Sequence, residues 1–112
     1  MPEPTSTARV ATDRPARYGK QLASHLNRRA VGTWEDATDT GSIVFGEAGN
    51  RVDMTCEPDA LVFALTAAPD DVALLEDVIG RHLVRFGTRD ELVVSWTRAD
   101  GSAGTEQRKT ED

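Results

Sequence analysis

The sequence predicts an α+β fold: a two-layer α/β sandwich, mainly antiparallel sheet with two helices on one face, in the order βαββββαβ. Three observations predict it. Four strand-like segments follow one another, at roughly 30–36, 41–46, 50–57 and 60–67, joined by turn sequences of hairpin length. Apolar residues alternate onto one face of those strands, and two amphipathic segments are available to cover that face.

Taken in order, Ala8-Arg9-Val10-Ala11 makes a short first strand. Asp13 is placed to cap a helix that has Pro15 in its first turn, where a missing N–H does no harm. That helix runs to about Arg28 with an apolar stripe of Tyr18, Leu22 and Leu26, and His25 lies beside it. The meander then turns at Asp39-Thr40-Gly41, Glu47-Ala48-Gly49-Asn50 and Pro58-Asp59. Its core face is Ile43 and Phe45, then Val52, Met54 and Cys56, then Leu61, Phe63 and Leu65; Arg51, Asp53, Thr55 and Thr66 face away.

The second helix opens at Pro69-Asp70-Asp71, whose carboxylates suit the positive end of the helix dipole, and closes at Gly87. Leu75, Ile79, His82 and Phe86 form its stripe, widened by Val72, Val78 and Leu83. A last strand from Glu91 to Thr97 turns Leu92, Val94 and Trp96 inward. Residues 1–6 are expected as a disordered tail, 7–98 as a single α+β domain, and 99–112, which lack any large apolar side chain, as a disordered charged tail.

Charge narrows the function classes. The 112 residues carry a net charge of −6. Residues 1 to 30 hold six Lys/Arg against two acids, whereas 31 to 112 hold seven against seventeen, so general nucleic-acid affinity is not expected. No apolar run approaches the ~20 residues that span a bilayer, and no leader pattern opens the chain, so a cytoplasmic protein without membrane insertion is expected. Cys56 is the one cysteine, which excludes an internal disulfide and reads as a small buried hydrophobe.

Read together, Glu76-Asp77-Val78, His82-Leu83-x-Arg85-Phe86, Arg89-x-Glu91-Leu92 and Trp96, with Tyr18-x-Lys20-Gln21-Leu22-x-x-His25 upstream, resemble the uncharacterised bacterial family known as domain of unknown function 2218. The resemblance covers about residues 7 to 98 and implies a compact cytoplasmic bacterial protein with no assigned activity. Members are often encoded near iron and siderophore uptake functions, which implies an association and no mechanism. Many relatives carry a second histidine three residues after the first, where this chain has Arg28, so a metal site within the first helix is not expected.

The residues with the most chemistry are His25 and His82, each on or beside the apolar stripe of its own helix. Two imidazoles on neighbouring helices suit a transition metal or a small ligand. Helix-face histidines also commonly pack a ring and bond a carbonyl. Arg17, Lys20 and Arg28 offer an anion site on the opposite side of the first helix, or a solvated basic face. Glu76, Asp77, Arg85, Arg89 and Glu91 are expected to form exposed ion pairs that fasten the helix to the last strand. Trp34 and Trp96 read as core or interface anchors, and Gly19 and Gly80 as points of close helix–helix approach.

No nucleophile, base and acid are tied together by spacing, and no motif identifies a cofactor. The expectation is therefore a small non-catalytic ligand- or metal-binding accessory protein. The alternative is a homodimer formed through the outer sheet face, where Val44, Val62, Ala64 and Val93 interrupt the polar residues.

Overall fold

A computed structural model describes residues 5–26, 30–45, 50–86 and 92–108. The elements are β1 Ser6–Ala11, α1 Pro15–His25, β2 Ala30–Glu35, β3 Thr40–Phe45, β4 Asn50–Glu57, β5 Ala60–Thr66, α2 Val72–Phe86, β6 Val93–Arg98 and β7 Ala103–Arg108. The strands form one antiparallel sheet in the order β2-β3-β4-β5-β1-β6-β7. The expected antiparallel α+β fold is present, with the meander β2 to β5 on one side and β1 inserted between β5 and β6.

The meander forms because its turns and its alternation agree. Ile43, Val52, Met54, Leu61, Phe63 and Leu65 are almost fully excluded from solvent and line up in register, Ile43 opposite Val52 and Met54 opposite Phe63. Phe45 and Cys56, assigned to the same face, lie at its margin and are half-buried. α1 packs over β2 to β5, and α2 over β5, β6 and β7. Phe63 and Trp96 stack at a centroid separation of 5.7 Å and tie the two halves of the core together.

Several expectations are corrected. α1 is capped at Arg14 rather than Asp13, with no side-chain cap bond. Pro15 is the reason: it pushes the preceding residue out of the helical region, and Arg14 sits at φ −130°, ψ 50°. The helix ends at His25 instead of near Arg28, and Leu26 closes it through its N–H to Leu22 and Ser24 carbonyls. Residues 27–29 lie outside the described residues, as does the α2 terminator Gly87.

The expected tail 99–112 contains β7, paired with β6 from Val93↔Arg108 to Thr97↔Ala103. The two strands are joined at Asp100-Gly101, where Gly101 has φ +88° and Asp100 accepts from the Ser102 N–H and hydroxyl. Order also begins before residue 7, since the Thr5 N–H donates to the Leu65 carbonyl and Ser6 is buried.

Gly19 and Gly80 serve helix–sheet approach, not helix–helix contact. A Cβ on Gly19 would come 2.6 Å from the Trp34 ring, and one on Gly80 would overlap the Gln107 side chain of β7. Among the described residues no helix is long and apolar enough to cross a membrane.

Candidate functional site

α2 presents two chemically different sides, and the first is a buried polar seam. Glu76 is fully excluded from solvent and accepts from the Ser6 hydroxyl at 2.6 Å, from Arg98 Nη2 at 3.1 Å, and from the Thr105 N–H and hydroxyl at 3.1 and 3.0 Å. Burial pushes its carboxyl upward, but the Arg98, Ser6 and Thr105 bonds outweigh that and hold it below the ordinary glutamate value. Next to it, Gln107 accepts from the Trp96 indole N–H at 2.8 Å and donates to Thr105. Every buried polar side-chain atom among the described residues has a partner. Such a seam fastens α2 to β1, β6 and β7.

This changes the ion pairs expected from sequence. Glu76 does hold the helix to the sheet, but through Arg98 and out of water. Asp77 pairs with Arg81 along the helix at 2.6 Å. Arg85 makes no ion pair among the described residues, while Arg89 and Glu91 lie outside them.

On the other side, α2 meets the end of α1, and here the two histidines come together. Their ring centroids are 5.1 Å apart with planes tilted by 50°, and the His25 ring also meets the edge of Phe86 at 5.1 Å. His25 is exposed because it closes α1; His82 is half-buried. His82 Nδ1 lies 2.7 Å from the Val78 carbonyl oxygen. A carbonyl can only accept, so Nδ1 carries a proton and Nε2 is left to the cleft.

The cleft has a volume of about 610 Å³ and is lined by His25, Leu26, Ala30, Phe45, Leu74, Leu75, Val78, Arg81, His82 and Arg85. That volume lies within the range of small-molecule sites. Its walls are Leu26, just past α1, and apolar residues of β2, β3 and α2, and among the described residues its polar side chains are imidazoles and guanidiniums. The histidines were legible in the sequence as helix-face residues; Arg81 and Arg85 were not assigned to a site, although Arg85 follows His82 by three residues and Arg81 by four, which makes it a neighbour of both on the surface of α2.

The other candidate residues sit apart from it. Lys20 pairs with Asp36 at 3.5 Å, Arg17 borders a separate hollow with Asp13, Asp39 and Glu57, and Arg28 lies outside the described residues. Cys56 borders the same hollow; burial first, and then Asp39, push its thiol upward, away from the reactive thiolate. Among the described residues no group of three or more His, Cys, Asp or Glu is disposed to hold a metal ion. On the outer sheet face the half-buried Val44, Val62 and Ala64 lie among ion pairs of Arg9 with Glu57 and Asp59 and of Arg51 with Asp53.

Comparison with known proteins agrees with the arrangement of elements. A family model described as "Uncharacterized protein conserved in bacteria", domain of unknown function 2218, matches residues 7–97. The NMR structure of PA4090 from Pseudomonas aeruginosa is similar at a TM-score of 0.64 and 26% identity, covering 84% of this chain and 95% of that one. Curated proteins give no significant match.

Proposed function

The chain belongs to this bacterial family, whose description carries no activity, and from its own geometry we propose a non-catalytic binding protein that takes a small ligand in the cleft between α1 and α2. One observation carries the reading: His25 and His82, 57 residues apart in sequence, meet at 5.1 Å on an apolar-walled cleft of about 610 Å³. Small-molecule sites have this form, a mostly apolar hollow with a few convergent polar groups.

A metal held by protein alone usually has three or four side-chain donors, and the described lining offers two imidazoles, so a metal here needs further donors, such as those its own ligand supplies. The iron association implied by the family resemblance is therefore a matter of which ligand arrives. Among the described residues no hydroxyl or thiol nucleophile lines the cleft, which favours binding over covalent chemistry.

The test is an NMR screen of the full chain against a fragment set of acids, amines, neutral aromatics and ferric and zinc salts. Shifts should gather on the rings of His25, His82 and Phe45. A screen in which bound fragments move only the outer face, or in which none moves either histidine, contradicts the reading.

A further inference from the structure

We propose that the ligand of this cleft is a small organic carboxylate with an apolar body. The proposal rests on the reading of the cleft as a ligand site and adds the chemical class. In a protein of net charge −6, the described lining gathers Arg81, Arg85, His25 and His82 and contains no carboxylate. The two guanidiniums, set against the overall charge, draw an anion to the cleft and repel a bare cation.

The basic groups are not equivalent. Arg81 is engaged by Asp77 at 2.6 Å, whereas Arg85 has no acidic partner among the described residues. A guanidinium presents parallel N–H groups that match the two oxygens of a carboxylate. His82 is already oriented by the bond from Nδ1 to the Val78 carbonyl, so its Nε2 is the ring nitrogen left to meet a polar group of the ligand.

The rest of the lining decides against a hydrated inorganic anion. Leu26, Phe45, Leu75 and Val78 offer such an ion nothing, but they provide a surface for a ring or short chain. Leu74, 61% exposed at the rim, extends that surface outward. An apolar body covering Leu74 and Leu75 gains burial energy while the carboxylate stays at the basic edge.

The experiment titrates the full chain by calorimetry with 1-naphthoate, 1-naphthamide and 1-naphthylmethylammonium at one ionic strength, for the natural protein and for Arg85→Gln. Naphthoate should bind about 10-fold more tightly than the amide, the increment of a charge-assisted hydrogen bond, with the ammonium weakest. Arg85→Gln should bring naphthoate down to the affinity of the amide without moving the unfolding midpoint, because Arg85 is exposed. Equal binding of acid and amide by the natural protein overturns the carboxylate assignment and leaves the cleft as a binding site. Failure of all three to bind at millimolar concentration, with no shift at either histidine, overturns both.

Discussion

The two sides of α2 solve opposite problems with similar residue types. Around Glu76 a carboxylate, a guanidinium, hydroxyls and an amide are packed so that every buried polar side chain is matched. Around His82, one turn and a half further along, rings and guanidiniums line open space. The difference separates the side of the helix that is committed to the fold from the side that is left open. A saturated network has no capacity left for a ligand, whereas the cleft retains hydrogen-bonding capacity and uncovered apolar surface. The seam is the fold's, and the cleft is available for binding.

The sharpest way to break that division is Glu76→Ala. It removes the acceptor that Ser6, Arg98 and Thr105 share, and should cost about 3 kcal/mol in urea unfolding, as removing one partner of a buried pair does. Ligand affinity at the cleft should stay within about twofold for the folded fraction. A variant that unfolds no more easily than the natural protein would show that the seam is not what holds α2 down.

A pH series tests the same group without a mutation. The folded Glu76 carboxyl is held below its ordinary value, so the folded state binds its proton less readily than the unfolded chain does. Its contribution to stability is present above the ordinary glutamate range and is lost as pH falls through that range toward the depressed folded value. Unfolding free energies measured from pH 7 down to 3 should therefore fall more steeply for the natural protein than for Glu76→Gln. Parallel curves would contradict this sign.

Gly80→Ala probes the boundary between the two sides. The new methyl would displace Gln107, whose Oε1 holds the Trp96 indole N–H, and the lost bond should outweigh the better helix propensity of alanine, a net loss of about 1 kcal/mol. The Trp96 indole proton should shift upfield in the same variant. Unchanged stability with an unchanged indole signal would mean that β7 yields freely.

The smallest structural effect belongs to the cleft. His25→Ala removes an exposed ring at the end of α1 and should change stability by less than about 0.5 kcal/mol. Calorimetry should nevertheless show clearly weakened binding of naphthoate. A large loss of stability would make His25 part of the core after all.

Much of this architecture was legible in residue pattern. Ile43, Val52, Met54, Phe63 and Leu65 alternate cleanly because the meander has one covered face, and β2 to β5 fall within a residue of their expected bounds. β7 was not legible, because the residues it turns toward α2 are Gly104, Thr105 and Gln107, chosen to fit against Glu76 and Gly80 instead of against an apolar surface. Its one local signal was Asp100-Gly101 directly after a strand.

The same interaction hid the true rotation of α2. Leu75, Ile79 and Leu83 of the expected face are buried, but its His82 and Phe86 end is half-buried while Glu76 and Gly80 are buried, since a polar residue matched by partners on other strands leaves no hydrophobic trace. His25 and His82 were recognisable as helix-face residues. Their meeting depends on how α1 ends beside α2, which spacing within either helix does not encode.

The central claim is that binding is confined to the histidine side of α2. Titrating isotope-labelled protein with 1-naphthoate while following the His25, His82 and Phe45 ring signals together with the Trp96 indole N–H and the Thr105 amide tests it most directly. The account predicts saturable shifts at the three rings with the two seam signals fixed. Seam signals that move in step with the ligand, or histidine rings that stay still while it binds, would contradict it.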